Sequence, residues 1–148
     1  MEDFFSDEYF MKIALKEAEK AFDNDEVPVG AIIVCNQTII AKAFNSVETL
    51  NDVTAHAEML AITSASEYLG GKYLNDCTIY VTLEPCMMCA GAIAWAQPGR
   101  LVFGAKDEKK GFTLINKGNF LHPRTIITSG VLESECSIVL KDFFKKKR

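Results

Sequence analysis

The sequence predicts an α/β protein: a central mixed β-sheet of about five strands with helices on both faces. Three observations carry that expectation. Residues 31–44 hold two apolar runs separated by Asn36-Gln37, the pattern of a β-hairpin. From about residue 54 to residue 105, helix and strand patterns alternate. Amphipathic helical patterns stand near both ends of the chain.

Taken in order, Ser6 is placed to cap a first helix whose opening turn carries Asp7 and Glu8. Phe10, Ile13, Ala14, Ala18, Ala21 and Phe22 recur at helical spacing and form one buried face. Asp23-Asn24-Asp25-Glu26 ends this helix, and Val27-Pro28-Val29-Gly30 leads into the strand Ala31-Ile32-Ile33-Val34-Cys35. Residues 38–44 form the returning strand, and 45–53 read as a polar loop. A second helix starts near Thr54 and runs through His56, Met59, Leu60, Ile62 and Ala65 to Leu69, where Gly70-Gly71 stops it. The β-branched run Ile79-Tyr80-Val81-Thr82-Leu83 reads as a buried strand. Pro85 fits the first turn of a helix, where its missing N–H is no loss, and that helix spans about 86 to 96. Leu101-Val102-Phe103-Gly104-Ala105 is a short strand, 106–123 an irregular region with room for a short helix, and 125–128 a last strand. Residues 132–144 form a closing amphipathic helix. With no repeat and no low-complexity linker, residues 1–148 read as one domain.

Composition is that of an ordinary globular chain, 49% hydrophobic and 24% charged. No apolar run approaches membrane-spanning length, and the acidic start Met1-Glu2-Asp3 lacks the basic region of a signal peptide. A cytoplasmic protein is expected, with Cys35, Cys77 and Cys136 as buried free thiols. The net charge of −4 does not suggest a nucleic-acid partner, but its distribution is uneven. Residues 1–74 sum to −8 and residues 75–148 to +4, with the most basic stretch at 141–148. Such a run suits the negative end of a helix dipole, and it also suits phosphate.

The chemistry concentrates in two short motifs. Cys86 and Cys89 are three apart, so at a helix start they lie on one face. Backbone N–H groups at that position favour thiolate over thiol. Two thiolates make half of a zinc site; a histidine as third ligand leaves the fourth tetrahedral position to water. A Cys-x-x-Cys after a strand is also the thioredoxin arrangement, or half of a structural zinc site. A structural site wants four protein ligands, however, and the chain has no second Cys-x-x-Cys and no His-x-x-x-His. It does have His56-Ala57-Glu58 upstream, and His-x-Glu followed by Pro-Cys-x-x-Cys is the signature of the zinc deaminases. His56 and Glu58 would diverge by about 200° in mid-helix, so both face one site only from a first turn. His122 lies outside both motifs and is given no catalytic role.

With these residues in view, the chain resembles the bacterial tRNA-specific adenosine deaminases of the cytidine deaminase-like superfamily over nearly its whole length. The resemblance rests on Glu26-Val27-Pro28-Val29-Gly30-Ala31, on Thr54-Ala55-His56-Ala57-Glu58-Met59, and on Thr82 to Ile93. Phe103-Gly104-Ala105-Lys106-Asp107, Gly130 to Cys136 and Lys141-Asp142-Phe143-Phe144 complete it. Where these deaminases usually read Asp-Pro-Thr before the metal histidine, this chain reads Asp52-Val53-Thr54.

The resemblance implies a three-layer α/β/α fold, a homodimer, one Zn²⁺ per chain held by His56, Cys86 and Cys89, and conversion of adenosine to inosine at the wobble position of a tRNA anticodon stem-loop. Glu58 is then the catalytic acid–base: it takes the proton of the attacking water, delivers it to ring N1 and helps protonate the leaving amine. By the same resemblance Asn45 hydrogen-bonds the target nucleotide, Pro28 and Val29 pack on the base, and the backbone of Ala57 and Leu83 reads its edge. Lys106 and Asp107 would meet the anticodon loop. Read plainly, Asn45 is a turn residue, Pro28 and Val29 are a strand entry, and Lys106 and Asp107 are loop charges. Trp95, in Ala94-Trp95-Ala96, is reminiscent of bacterial guanine deaminases, so a deaminase of free bases or nucleosides, acting on guanine or cytosine, is the alternative. A zinc-stabilised, non-catalytic domain is a third reading, against which Glu58 argues.

Overall fold

The computed structural model describes residues 5–147. Ser6 caps helix α1 (Asp7–Asp23) through a 3.1 Å hydrogen bond from the Tyr9 amide. Strands β1 (Gly30–Cys35) and β2 (Thr38–Phe44) form the expected hairpin. Its two-residue turn places both Asn36 and Gln37 at positive φ, the geometry that matches the twist of the strands it joins. The expected polar loop after β2 contains one short helix, α2 (Val47–Leu50). Then follow α3 (Ala57–Leu69), β3 (Cys77–Leu83), α4 (Met87–Ala96), β4 (Arg100–Ala105), β5 (Ile126–Ser129) and α5 (Glu133–Lys146). Gly70 closes α3 in the left-handed region, as the Gly-Gly pair predicts. The irregular region before β5 contains a single 3₁₀ turn, Phe112–Leu114, and a tight turn at Asn116–Gly118 with Asn116 and Lys117 at positive φ.

The five strands lie in the order β2-β1-β3-β4-β5. β1 runs antiparallel to both β2 and β3, while β3, β4 and β5 are parallel. The sheet is therefore mixed; helix α4 makes the crossover from β3 to β4, and the irregular stretch 106–125 makes the one from β4 to β5.

Alternation along the strands makes the three layers. Ala31, Ile33, Ile79, Val81, Leu101 and Phe103 face one side, packing with Ala57, Ala61 and Ala65 of α3 and Ala90 and Ile93 of α4. Ile32, Val34, Tyr80 and Val102 face the other, with Phe10, Met11 and Ala14 of α1 and Cys136 of α5. The alanines let α3 and α4 lie close to the sheet. Gly30 does the same for α1: a Cβ there would clash with the Ala14 carbonyl oxygen. Among the described residues no helix is long and apolar enough to cross a membrane. All five cysteines are free; Cys77 and Cys136 are buried as expected, and Cys35 is half-buried.

Candidate active site

The first turns of α3 and α4, the carboxyl end of β3 and the entry to β1 meet at one edge of the sheet, where ligands gather in open α/β sheets. His56 and Cys86 are the N-cap residues of α3 and α4, so both helices begin one residue after the metal-type side chain. Pro85 therefore precedes the cap rather than lying in the first turn. Its carbonyl accepts the Phe112 amide at 3.0 Å, and Cys86 bridges to Gly111, which fixes the approach to α4.

His56 Nδ1 lies 3.4 Å from Cys89 Sγ and 3.7 Å from Cys86 Sγ, and the three donor atoms all fall within 4.8 Å of one another. Tetrahedral zinc with ordinary Zn–S and Zn–N bonds needs S···N edges of about 3.5 Å, so the donor set has zinc's chemistry and its spacing. The chain around it is held by hydrogen bonds. Asp52 Oδ1 accepts the amide and hydroxyl of Thr54 at 2.9 and 2.7 Å. This turn brings the chain round to His56 without the proline usual in the resembled deaminases; Val53, in its place, is 79% exposed.

The electrostatics differ in one respect from the expectation of two thiolates. Cys86 is held down to about 3, first by the Cys89 thiol that donates to it and then by His56. Cys89 is instead pushed up, first by that hydrogen bond to Cys86 and then by burial. Two bare thiolates in contact repel, and the fully buried sulfur keeps its proton; a dication among the three donors favours thiolate at both. His56 is raised, chiefly by its hydrogen bond with Cys86. Glu58, in the first turn of α3, is 4% exposed, and burial lifts its carboxyl to about 7. A carboxyl tuned that high both accepts and returns a proton near neutral pH.

The group opens into a cleft of about 870 Å³. Val29, Asn45, Leu83 and Asp107 line it beside His56, Glu58 and Cys86. Pro28 is buried behind Val29, and Ala57, fully buried, opens α3. Lys106 is exposed and lies outside the cleft lining; Lys110 and Lys147 reach it instead. The Asp107 carboxylate is engaged within the protein, accepting the amides of Lys109 and Lys110 at 3.0 Å each. His122 serves a turn, its Nδ1 accepting the Arg124 amide.

Two further buried carboxylates, neither assigned a role from the sequence, also line the cleft. Glu26, 1% exposed, accepts the Glu48 amide at 3.0 Å, the Thr49 amide at 2.6 Å and the Thr49 hydroxyl at 2.7 Å. Glu84, 2% exposed, accepts the Asp107 amide at 3.1 Å, the Thr113 amide at 2.9 Å and the Thr113 hydroxyl at 2.7 Å. Glu84 had a signal in the sequence, a lone acid between Leu83 and Pro85 in an apolar run; Glu26, at the end of the acidic stretch Asp23-Asn24-Asp25-Glu26, had none.

Comparison with known proteins agrees with this geometry. The family described as the cytidine and deoxycytidylate deaminase zinc-binding region matches residues 5–105. A tRNA-specific adenosine deaminase of Aquifex aeolicus is 49% identical over 145 residues, 95% of each chain. A solved structure from a study of A-to-I editing by tRNA:A34 deaminases at the wobble position superposes with a TM-score of 0.83 at 44% identity, covering 89% of this chain and 99% of that one. A guanine deaminase of Bacillus subtilis superposes with a TM-score of 0.64 at 40% identity, covering 77% of this chain and 70% of its own. With two zinc-type motifs on adjoining helix starts and a matched region that contains both, the chain belongs to the cytidine and deoxycytidylate deaminase zinc-binding family.

Proposed function

We propose that this protein hydrolyses adenosine to inosine at the wobble position of a tRNA anticodon, with one zinc ion per chain. The observation that carries the reading is the buried Glu58 beside the His56, Cys86 and Cys89 donors, at the floor of an open cleft. Zinc held by these three residues would lower the pKa of water to about 7 and so supply the nucleophile. Glu58 takes one proton of the attacking water as the water oxygen bonds to C6, and passes that proton to ring N1. The second water proton goes to the departing amine, the C6–N bond breaks, and ammonia and inosine leave.

The rest of the cleft holds the nucleotide. Asn45 hydrogen-bonds it, Pro28 and Val29 support the base, and the backbone of Ala57 and Leu83 meets its edge. Lys106 and Asp107 stand towards the anticodon loop, and Lys110 adds positive charge at the cleft, where Lys147 is paired with Asp25 at 2.6 Å. A splayed base in a pocket with lysines on phosphate is the usual way a single-stranded loop is read. The protein acts as a cytoplasmic homodimer: Met88 and Trp95 lie seven apart on one face of α4, 36% and 81% exposed, and a second copy would cover them.

A free-base deaminase acting on guanine is the second reading, favoured by the Bacillus subtilis relative. The higher coverage and TM-score of the tRNA:A34 structure favour the first. The zinc-loaded protein incubated with tRNA carrying a wobble adenosine, beside free guanine, cytosine and adenosine, tests the choice. Inosine in the tRNA, with turnover that weakens steeply as salt rises, supports the first reading. Guanine or cytosine turnover with unmodified tRNA overturns it.

A further inference from the structure

We propose that Glu26 is a positioning residue that sets the substrate-facing wall formed by residues 45–49. The proposal deepens the deaminase reading and rests on it. Asn45, Val47, Glu48 and Thr49 line the cleft, as do Asp107 and Lys110. Of these wall residues the α2 segment has little else to hold it: none of Val47–Leu50 is buried, and Ser46 makes no side-chain cap. Four residues cannot sustain a helix by themselves. What fixes them is polar. The Ser46 amide donates to the Ala55 carbonyl at 2.9 Å, and Glu26 accepts three donors from Glu48 and Thr49.

Glu26 is suited to the task. Burial opposes its charge, yet the three donors prevail and its pKa is lowered, so the brace carries full charge at neutral pH. It sits just ahead of β1, and Val29 of that same segment lines the cleft. The strand entry that carries Val29 and the wall at residues 45–49 are therefore tied through one side chain. The chain uses the same device at a second stretch of the lining. Glu84 accepts two amides and a threonine hydroxyl and so holds the segment that carries Asp107 and Lys110. Two walls, each docked by a buried glutamate to one threonine and one further amide, fix the width of the opening. None of the Glu26 partners is a donor of the zinc cluster.

The test uses the zinc-loaded protein and an anticodon stem-loop with a wobble adenosine. Glu26→Gln keeps the size but turns an N–H towards the donors. Thr49→Val removes only the hydroxyl donor, and Thr49→Ser retains it. Expected for Glu26→Gln are amide exchange at Glu48 and Thr49 faster by about tenfold, KM raised about tenfold and kcat within about twofold, at unchanged zinc content. Thr49→Val shifts KM the same way by a smaller factor, and Thr49→Ser restores it. Unchanged KM with faster exchange overturns the proposal, as does a loss confined to kcat, zinc content and Tm. Should Glu26→Gln fail to fold, an unchanged KM in Thr49→Val overturns it alone. If the wild-type protein deaminates guanine rather than the stem-loop, the substrate reading has failed, and the same KM and exchange comparison is made on guanine.

Discussion

At the scale of single residues, the site joins a soft donor set to one tuned carboxyl. Glu58→Gln preserves volume and removes proton transfer. Turnover is expected to fall by at least about 100-fold while zinc content and Tm stay near wild type. Measuring all three together decides the point, because a Tm that falls with activity assigns Glu58 to structure instead. The zinc motifs were legible in the sequence because ligand chemistry demands particular side chains at fixed spacing. Glu26 and Glu84 were not, since a buried carboxylate and a surface carboxylate have the same letter; only the donors around them, 22 to 29 positions away, tell them apart. Asp107 lines the cleft, but the sequence does not show how its carboxylate is held. It reads as a free loop charge, yet its carboxylate closes the turn at Lys109 and Lys110.

At the scale of elements, α1 is fastened to the sheet at both halves. Near its start, Asp7 accepts two hydrogen bonds from Arg100 of β4, at 3.0 and 2.9 Å, and one from the Tyr80 hydroxyl of β3 at 2.8 Å. The Arg100 hydrogen bonds hold the Asp7 carboxyl below its ordinary value of 3.8. A lowered carboxyl stabilises the fold above its unfolded pKa, and that stability drains as pH falls below 3.8 through the folded value. Asp7→Asn should cost about 1 kcal/mol at pH 7, after discounting for partial exposure, and should flatten the acid limb of stability against pH. Chemical denaturation at pH 7 and pH 3 measures both. Further along α1, Gly30→Ala places a methyl against backbone at Ala14 and Ala18, which no rotamer can relieve. A loss of about 1–3 kcal/mol, read as a lower Tm, is the expected result. Element types and most boundaries were readable from periodicity and from punctuation such as Ser6, Asn36-Gln37 and Gly70. The α2 turn was not, because its four residues bury nothing and follow no apolar pattern.

At the scale of the whole molecule, the layers were predictable but the strand order was not. Antiparallel pairing of β1 with β3 links residues some fifty positions apart, and nothing local announces that partnership. The His56, Cys86 and Cys89 donors join the starts of α3 and α4, so a metal held there couples to the fold. Chelation should abolish deamination and lower Tm, and zinc added back should restore both, since a ligand that binds only the folded chain stabilises it by mass action. Calorimetry of the chelated and reloaded protein provides the comparison. The chain also carries its own optical reporter. Trp95 is the sole tryptophan, and at 81% exposure its emission starts from the red, water-relaxed end. Because it stands on the outer face of α4 and not among the cleft residues, a blue shift on concentrating the protein would report a second surface closing over that helix, while an occupied cleft alone would leave the spectrum where it was.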